Sequence, residues 1–454
     1  MRELAAVLSL SIAILSVQSS GVAWAASGCA AGTECLDVTE KGEPAVNLPD
    51  HVAQCSGPFP DFIVSPALLA NNPEQRWFTL AQDYPTSVSE TAFPWKAFDY
   101  AEGVDETNAF LYALRDYAYE GMITAGFDPA QNTVRNWYHV PFMNFGPSPR
   151  EPFHGLTAER PINGPELGIK QGVRVANYAI GFYNEVGAKT IGAVWNSNTP
   201  DLTQAHFEDG AMTFKILFSA AKDDDFQNPA ASPLLGAPTW TISTASGPVP
   251  VRLMQMDVAV ADPESPTGWV FGTLAYDRNA PDADPWMKMR PVGLSWGNDE
   301  GVTPAMVAAG TLLEESILSD QAPPYAATHL GWAGRINGPI DNPRSGCLSC
   351  HGTAQHPANA ADILPFGSCN TDAEKLIWFR NFDGSVPFGR VNQQTCVLEP
   401  SSAQLVSLDY SLQLASSIES VLGFGDKNPC QGATPFSAGP TSDAPVETTR
   451  HVHR

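Results

Sequence analysis

The pentapeptide Cys347-Leu348-Ser349-Cys350-His351 is the stretch of this sequence whose residue types and spacing point most directly to chemistry. At this spacing two thiols reach the two vinyl groups of one haem and form thioethers, while the adjacent imidazole coordinates the iron. The motif therefore predicts one covalently attached haem c, with Cys347 and Cys350 as attachment points and His351 as the proximal iron ligand. Because the motif occurs once, a chain of several haems is excluded.

Two other uses of a Cys-x-x-Cys pair fit the sequence less well. A thioredoxin-like redox pair follows a strand of a βαβ unit, whereas a Pro-, Gly- and Asn-rich stretch precedes Cys347. A zinc site needs two further ligands, for which Cys369 and Cys396 lie at irregular spacing. Covalent haem is the interpretation that uses every residue of the motif.

The beginning of the chain has the pattern of a secretory signal peptide over residues 1–25. A basic start is followed by an apolar stretch at 4–17 and a small-x-small cleavage site at 23–25. We expect the mature chain to begin at Ala26 in the periplasm, where haem is attached after export. No later stretch reaches the roughly 18 to 20 apolar residues of a spanning helix, so we expect no transmembrane segment.

The other cysteines agree with an oxidising compartment. Besides the motif pair, six remain: Cys29, Cys35, Cys55, Cys369, Cys396 and Cys430. We expect bridging within the first three and within the last three. If all six are oxidised, at least one bridge joins the two groups, because three cysteines cannot pair fully among themselves. Lipidation of Cys29 at a weak lipobox is the less favoured alternative, because it strands one thiol.

The charge balance restricts the partners. The 25 Lys and Arg residues stand against 49 Asp and Glu, which gives a formal net charge of −24. Such a surface is repelled by phosphate backbones and anionic lipid headgroups, so we expect no binding to nucleic acid. A redox partner protein with a basic docking surface fits better, and its association should weaken as salt rises.

Periodicity predicts a multidomain α+β chain with a β-rich domain over 61–320. Apolar residues alternate with polar ones at 212–218, 240–244, 254–260 and 269–273, which is typical of an antiparallel β sandwich or a barrel-like domain. Peripheral helices are expected at 105–121, where Asp105 is the predicted cap and Gly121 the predicted stop, and at 304–318.

The rest of the chain divides around this domain. A Cys-, Gly- and Pro-rich segment covers 26–60, and a connector covers 321–345. An all-α module is expected at 346–430, because capping boxes at Thr371/Glu374 and Ser401/Gln404 precede apolar helical patterns. A flexible tail is expected at 431–454.

The segment Cys-Leu-Ser-Cys-His-Gly at 347–352, followed by an amphipathic helix predicted at 401–422, resembles the small α-helical domain of c-type cytochromes. With Gly268–Thr273, Pro291–Asp299 and Asn337–Pro343, the wider chain is similar to large bacterial mono-haem cytochrome c family proteins with a long non-haem N-terminal region. The resemblance implies haem binding and electron transfer.

Two departures from this family follow from the residues around the motif. The stretch before it is too rich in Pro and Gly for the usual preceding helix, so we expect the first domain to cover that face. The usual sixth iron ligand of the family is a downstream methionine, yet no methionine follows Met306. An inter-domain ligand and an open iron site are both left as alternatives.

The β-rich domain offers the candidate sixth ligands His139, His154, Met254 and Met256. Further candidates are His206, Met287, Met289, His329, His356, Lys375, Asn392, Tyr410, His451 and His453.

Two hypotheses for the function of the protein stand beside that of a simple electron carrier. In the first, the protein is a haem-dependent oxidoreductase, peroxidase-like or substrate-oxidising, whose β-rich domain binds a small substrate. In the second, the N-terminal domain is a binding module that carries a cytochrome. The basic side chains Arg135 and Arg150 are candidate partners of the haem propionates.

Overall fold

The structure is a computed structural model that describes residues 52–55, 60–63, 78–141, 150–197, 199–244, 247–359, 363–365, 368–399 and 404–424. The predicted signal peptide, the tail at 431–454, Ser401 and three of the cysteines, Cys29, Cys35 and Cys430, lie outside the described residues. Among the described residues, no helix combines the length and the apolar composition needed to cross a membrane.

An antiparallel sheet of eight strands forms the centre of the molecule. The strands of the first 320 residues are β1 (Val52–Cys55), β2 (Pro60–Ile63), β3 (Thr157–Asn163), β4 (Arg174–Tyr183), β5 (Met212–Ser219), β6 (Thr239–Thr244), β7 (Gly247–Ala261), β8 (Trp269–Tyr276), β9 (Met289–Ser295) and β10 (Ser316–Leu318). The sheet has the order β10-β9-β8-β7-β5-β4-β3, with β6 paired to β7, while β1 and β2 pair separately.

This sheet confirms the β-rich antiparallel prediction but corrects its form. The predicted sandwich needs a second sheet face to face with the first, and the predicted barrel needs β3 to pair with β10. Neither arrangement is found among the described strands, which make one open sheet. Helices and the C-terminal residues cover the two faces instead, and this explains why β8 is buried along its whole length.

The two faces of the sheet carry different residues, because successive side chains of a strand point to opposite sides. On β7, Met256 and Val258 belong to the main core on the first face, together with Phe214 of β5. Asp257 and Ala259 lie on the second face and line a cavity. The second face also carries a separate apolar cluster that it shares with C-terminal residues.

Seven α-helical segments occur among the described residues: α1 (Val104–Tyr119), α2 (Glu185–Val194), α3 (Pro304–Ala308), α4 (Pro324–Ala327), α5 (Cys347–His351), α6 (Asp372–Lys375) and α7 (Leu412–Phe424). Short 3₁₀ helices occur at Pro94–Ala97, Pro129–Gln131, Glu166–Gly168, Leu202–Gln204, Asp223–Asp225, Pro229–Ala231, Pro285–Lys288, Trp332–Gly334 and Leu376–Trp378. Helix α1 confirms the first predicted helix, although Gly103 is its N-cap and Asp105 lies inside its first turn.

The second predicted helix, at 304–318, is wrong over most of its length. Helix α3 ends at Ala308, and Gly310 then adopts a φ of +98°, a left-handed conformation that ends a helix. Farther on, Ser316–Leu318 pairs with β9 as an edge strand. The apolar spacing resembled a helix, but hydrogen bonding to the sheet edge decided the conformation of its second half.

The segment predicted to be all helical, 346–430, is mixed among its described residues. Besides α5, α6 and α7 it contains four short strands, β11 (Gln355–His356), β12 (Arg390–Asn392), β13 (Val397–Glu399) and β14 (Val406–Ser407). Strand β11 pairs with β14 and β12 with β13. The helix predicted from 401 begins only at Leu412, because the residues before it pair with β11.

Two local predictions for this segment agree with the structure. Thr371 and Glu374 form a capping box at the start of α6, in which each side chain accepts a hydrogen bond from the other residue's backbone N–H. Cys369 and Cys396 form a disulfide with a Cα–Cα distance of 5.5 Å. This is one of the pairings that the cysteine pattern allowed.

Candidate haem site

Helix α5 brings the three reactive side chains of the pentapeptide to one side. Residues at i, i+3 and i+4 share a helix face, and Cys347, Cys350 and His351 have this spacing. All three line a single cavity. The intervening Leu348 and Ser349 are buried at 1% and 2% exposure on the other side of the helix. Helical geometry therefore separates the side chains that line the cavity from those that anchor the helix.

The start of α5 is held by a short polar contact. The N–H of Gly346 donates to Ser349 Oγ at 2.8 Å, and the same hydroxyl donates back to the Gly346 carbonyl at 2.9 Å. Leu348 packs in the apolar cluster with Trp269 and Phe271 of β8. The β-rich region thus packs against the Leu348 side of α5.

The cavity lies between α5, the second face of the sheet and α7. With its mouth included, the space is about 1790 Å³. Its walls are mostly apolar, as is usual for cofactor sites, with a few polar side chains. Tyr183 on β4 and Ser411 just before α7 close one side through a 2.9 Å hydrogen bond between their hydroxyls.

The imidazole of His351 is oriented by a backbone carbonyl. Its Nδ1 lies 3.0 Å from the carbonyl oxygen of Tyr410, and the ring centroid of Phe271 is 4.6 Å from the imidazole. Burial lowers the pKa of His351 to about 4, so the ring is neutral near pH 7. A neutral imidazole that donates from Nδ1 keeps a free lone pair on Nε2, which is the form that ligates metals.

The two motif thiols are free, and burial raises the pKa of both. Neither Cys347 nor Cys350 forms a disulfide. Burial, with a further contribution from the Asp341 carboxylate, raises the pKa of Cys347 well above its usual value and that of Cys350 to about 12. Redox-active and metal-binding thiols have lowered pKa values instead.

The zinc alternative finds no support in the described part of the chain. No group of three or more His, Cys, Asp or Glu side chains there could hold a metal ion. The two cysteines considered as further zinc ligands, Cys369 and Cys396, are bonded to each other. The donor set around α5, two thiols and one neutral imidazole on a cavity wall, fits haem c.

A half-buried charged cluster, which was not predicted from the sequence, lies on the sheet side of the cavity. Lys215 on β5 is in register with Asp257 on β7, and its Nζ lies 3.5 Å from Glu159 Oε1. Burial alone would lower the pKa of Lys215, but Glu159, Asp257 and Asp341 outweigh it and raise that pKa. Burial and Asp341 raise the pKa of Asp257 to about 7. The sequence feature that could have predicted this cluster is a charged residue within a mostly apolar strand, Lys215 in β5 and Asp257 in β7.

The four predicted sixth ligands lie away from the cavity. His139 is buried, accepts a hydrogen bond from the Ala81 N–H at 3.0 Å, and lies between aromatic rings. His154 stacks on Trp240 with a centroid distance of 4.7 Å. Met254 and Met256 are fully buried in the main core of the first face. None of the four lines the cavity that contains His351.

Other candidates also have structural partners. His206 Nδ1 lies 3.1 Å from an Asp409 carboxylate oxygen, and His356 Nδ1 lies 3.2 Å from Glu419. His329 contacts a backbone carbonyl at 3.2 Å. Apart from His351, the described residues that line the cavity include no histidine and no methionine.

The two arginines considered as propionate partners are held elsewhere. Arg135 forms ion pairs with Glu90 and Glu120. Arg150 donates to the backbone carbonyl of Phe78 at 3.0 Å. Neither arginine lines the cavity, whereas Arg160 on β3 does.

Comparison with known proteins adds no relative. No family model, no curated protein and no solved structure matches this chain. The likeness to c-type cytochromes therefore stays a prediction from the motif. Any functional conclusion depends on the site itself.

Proposed function

We propose that this chain is an exported mono-haem c-type cytochrome that transfers single electrons through one haem c held by Cys347, Cys350 and His351. One observation carries the proposal. Both free thiols and a carbonyl-oriented, neutral imidazole project from one face of α5 into one cavity. No other described group of side chains offers this set of donors.

The residues around the cavity have separate tasks in this proposal. When bound, the haem supplies the one-electron chemistry. Cys347 and Cys350 would hold the haem covalently, and His351 would be its iron ligand. Tyr410 fixes the imidazole tautomer through its carbonyl, and Phe271 excludes water beside the ring.

Export and partner choice follow from the whole chain. The predicted signal peptide at 1–25 directs the protein to the periplasm, and the Cys369–Cys396 disulfide is consistent with an oxidising compartment. The net charge of −24 favours a redox partner with a basic docking surface.

A haem-dependent oxidoreductase is the second candidate, and the lining of the cavity favours it. Among the described residues that line the cavity, His351 is the one histidine, no methionine occurs, and the hydroxyl of Tyr410 donates to the Phe382 carbonyl. A haem bound there would keep a coordination position for a small ligand. The charged side chains of Lys215, Glu159 and Asp257 lie on the same cavity and are suited to orient a polar substrate.

The test is to produce the full chain in a periplasm that contains the haem-attachment machinery and to measure mass and absorption. We expect one thioether-linked haem per chain, lost when Cys347 and Cys350 are both replaced by Ser. Replacing Cys369 and Cys396 by Ser is the matched control, and it should leave haem attachment intact. A bare polypeptide from the wild-type gene overturns the proposal. Rapid CO binding to the reduced protein favours the oxidoreductase, and no binding favours the carrier.

A further inference from the structure

The carbonyl that orients His351 belongs to a turn with an uncommon backbone conformation. Asp409 and Tyr410 have φ values of +47° and +60°, and neither is a glycine. Consecutive left-handed residues with side chains are rare, and they persist only where surrounding contacts hold them. The contacts that hold this turn therefore also decide where the Tyr410 carbonyl points.

Asp409 makes most of these contacts through its carboxylate, which is almost completely buried. One oxygen accepts a hydrogen bond from Trp269 Nε1 on β8 at 2.8 Å. The other accepts from the backbone N–H of Phe207 at 2.7 Å and lies 3.1 Å from His206 Nδ1. The carboxylate thus ties the turn to two separate parts of the β-rich region.

The neighbouring residues leave the turn little freedom. The Tyr410 hydroxyl donates to the Phe382 carbonyl at 3.0 Å, and the two rings stack at 5.7 Å. A Cβ atom on Gly384 would lie 1.9 Å from a carboxylate oxygen of Asp409, so the chain passes close to the carboxylate on that side. Held from both sides, the Tyr410 carbonyl stays 3.0 Å from His351 Nδ1.

We propose that Asp409 is a positioning residue for the iron ligand: its carboxylate clamps the turn that aims the Tyr410 carbonyl at His351. This inference rests on the proposed function, since His351 matters as a ligand only when haem is bound. Outer partners of a ligating histidine fix its ring and raise its basicity. A more basic imidazole stabilises the oxidised iron, so the clamp lowers the reduction potential.

Two substitutions separate the carboxylate from the backbone conformation. Asp409→Asn keeps the shape but places an amide NH₂ against a donor N–H. Asp409→Gly keeps access to positive φ and removes the clamp completely. In both variants we expect a higher reduction potential, and a His351 Nδ1 proton that exchanges faster with solvent in nitrogen-15 NMR spectra.

Two control variants keep the outcome interpretable. Asp257→Asn removes a cavity charge without touching the turn, so it should raise the potential but leave the Nδ1 proton signal unchanged. Glu151→Gln changes another fully buried carboxylate, which accepts from the N–H groups of His154 and Ser243, and it should lower thermal stability alone.

The inference is overturned if both Asp409 variants keep the wild-type Nδ1 proton signal, even when their melting temperatures fall. Failure of the proposed function has a different signature, namely wild-type protein without covalent haem. In that case the Nδ1 signal of the full haem-free chain still decides whether Asp409 positions His351.

Discussion

The two faces of the eight-stranded sheet are built from the same strands but differ in composition and in role. The first face is filled by large apolar side chains such as Phe214, Met256 and Val258, which pack into the main core. The second face carries Lys215 and Asp257 at the alternate positions and leaves a cavity beside α5. The main apolar core lies on the first face, whereas the second face combines a separate apolar cluster with the candidate cofactor cavity.

A single sheet can carry a core on one side and a cavity on the other because of the geometry of its strands. Because neighbouring residues on a strand face opposite sides, one position can change without disturbing the next. Met256 and Asp257 are adjacent in sequence, yet one lies in the core and the other on the cavity wall. Substitutions on the two faces should therefore have different effects.

The largest expected effect distinguishes two histidines, one on each face of the sheet. If the proposed function holds, His351→Ala should remove the proposed proximal ligand and abolish the wild-type absorption spectrum of the haem. His139→Ala, on the first face, should destabilise the fold but leave that spectrum unchanged, because His139 does not line the cavity. Absorption spectroscopy of the reduced and oxidised proteins measures both. An altered absorption spectrum in His139→Ala would contradict the conclusion that the first face has no part in the candidate haem site.

The next effect concerns the neighbours on β7. Met256→Ala should lower the free energy of unfolding by about 2–5 kcal/mol, because it opens a cavity in the main core. Asp257→Asn should change stability less near pH 4, where the wild-type carboxyl is already protonated. Denaturant unfolding of both variants is the measurement. Equal losses at that pH would contradict the division of tasks between the faces.

The pH dependence of the free energy of unfolding should report the half-buried carboxyl of Asp257. Burial and Asp341 raise its pKa in the folded state to about 7, whereas an exposed Asp titrates near 4. The folded protein therefore binds this proton more tightly than the unfolded chain does. The resulting contribution to the free energy of unfolding is fully present below about pH 4 and is lost as the pH rises through 7. The loss is at most about 4 kcal/mol. Asp257→Asn should flatten this part of the stability profile, and a profile with an unchanged slope would exclude Asp257 as its source.

The smallest effect tests the segment that covers the second face. Thr371→Ala removes the N-cap of α6 and should lower the free energy of unfolding by about 0.5–2 kcal/mol. Haem content and reduction potential should stay at wild-type values, because Thr371 is exposed and does not line the cavity. A changed reduction potential would show that residues of the C-terminal segment outside the cavity wall also affect the candidate haem site.

Local patterns were predicted well where neighbouring residues in sequence decide the outcome. The spacing of Cys347, Cys350 and His351 places them on one side of any helix, so the pattern alone grouped them. The alternation of β5 and β7 and the capping box of α6 depend likewise on adjacent residues. The expected helix at 304–318 failed because strand pairing with β9 is a distant contact.

Spacing along the chain was enough to group Cys347, Cys350 and His351 and to predict a sheet with two different faces. That the sheet is open, and that Lys215 and Asp257 face the same cavity as His351, depends on the packing of distant segments. So does the orientation of the imidazole by the Tyr410 carbonyl. These features join residues that are far apart in sequence, and no local pattern records such contacts.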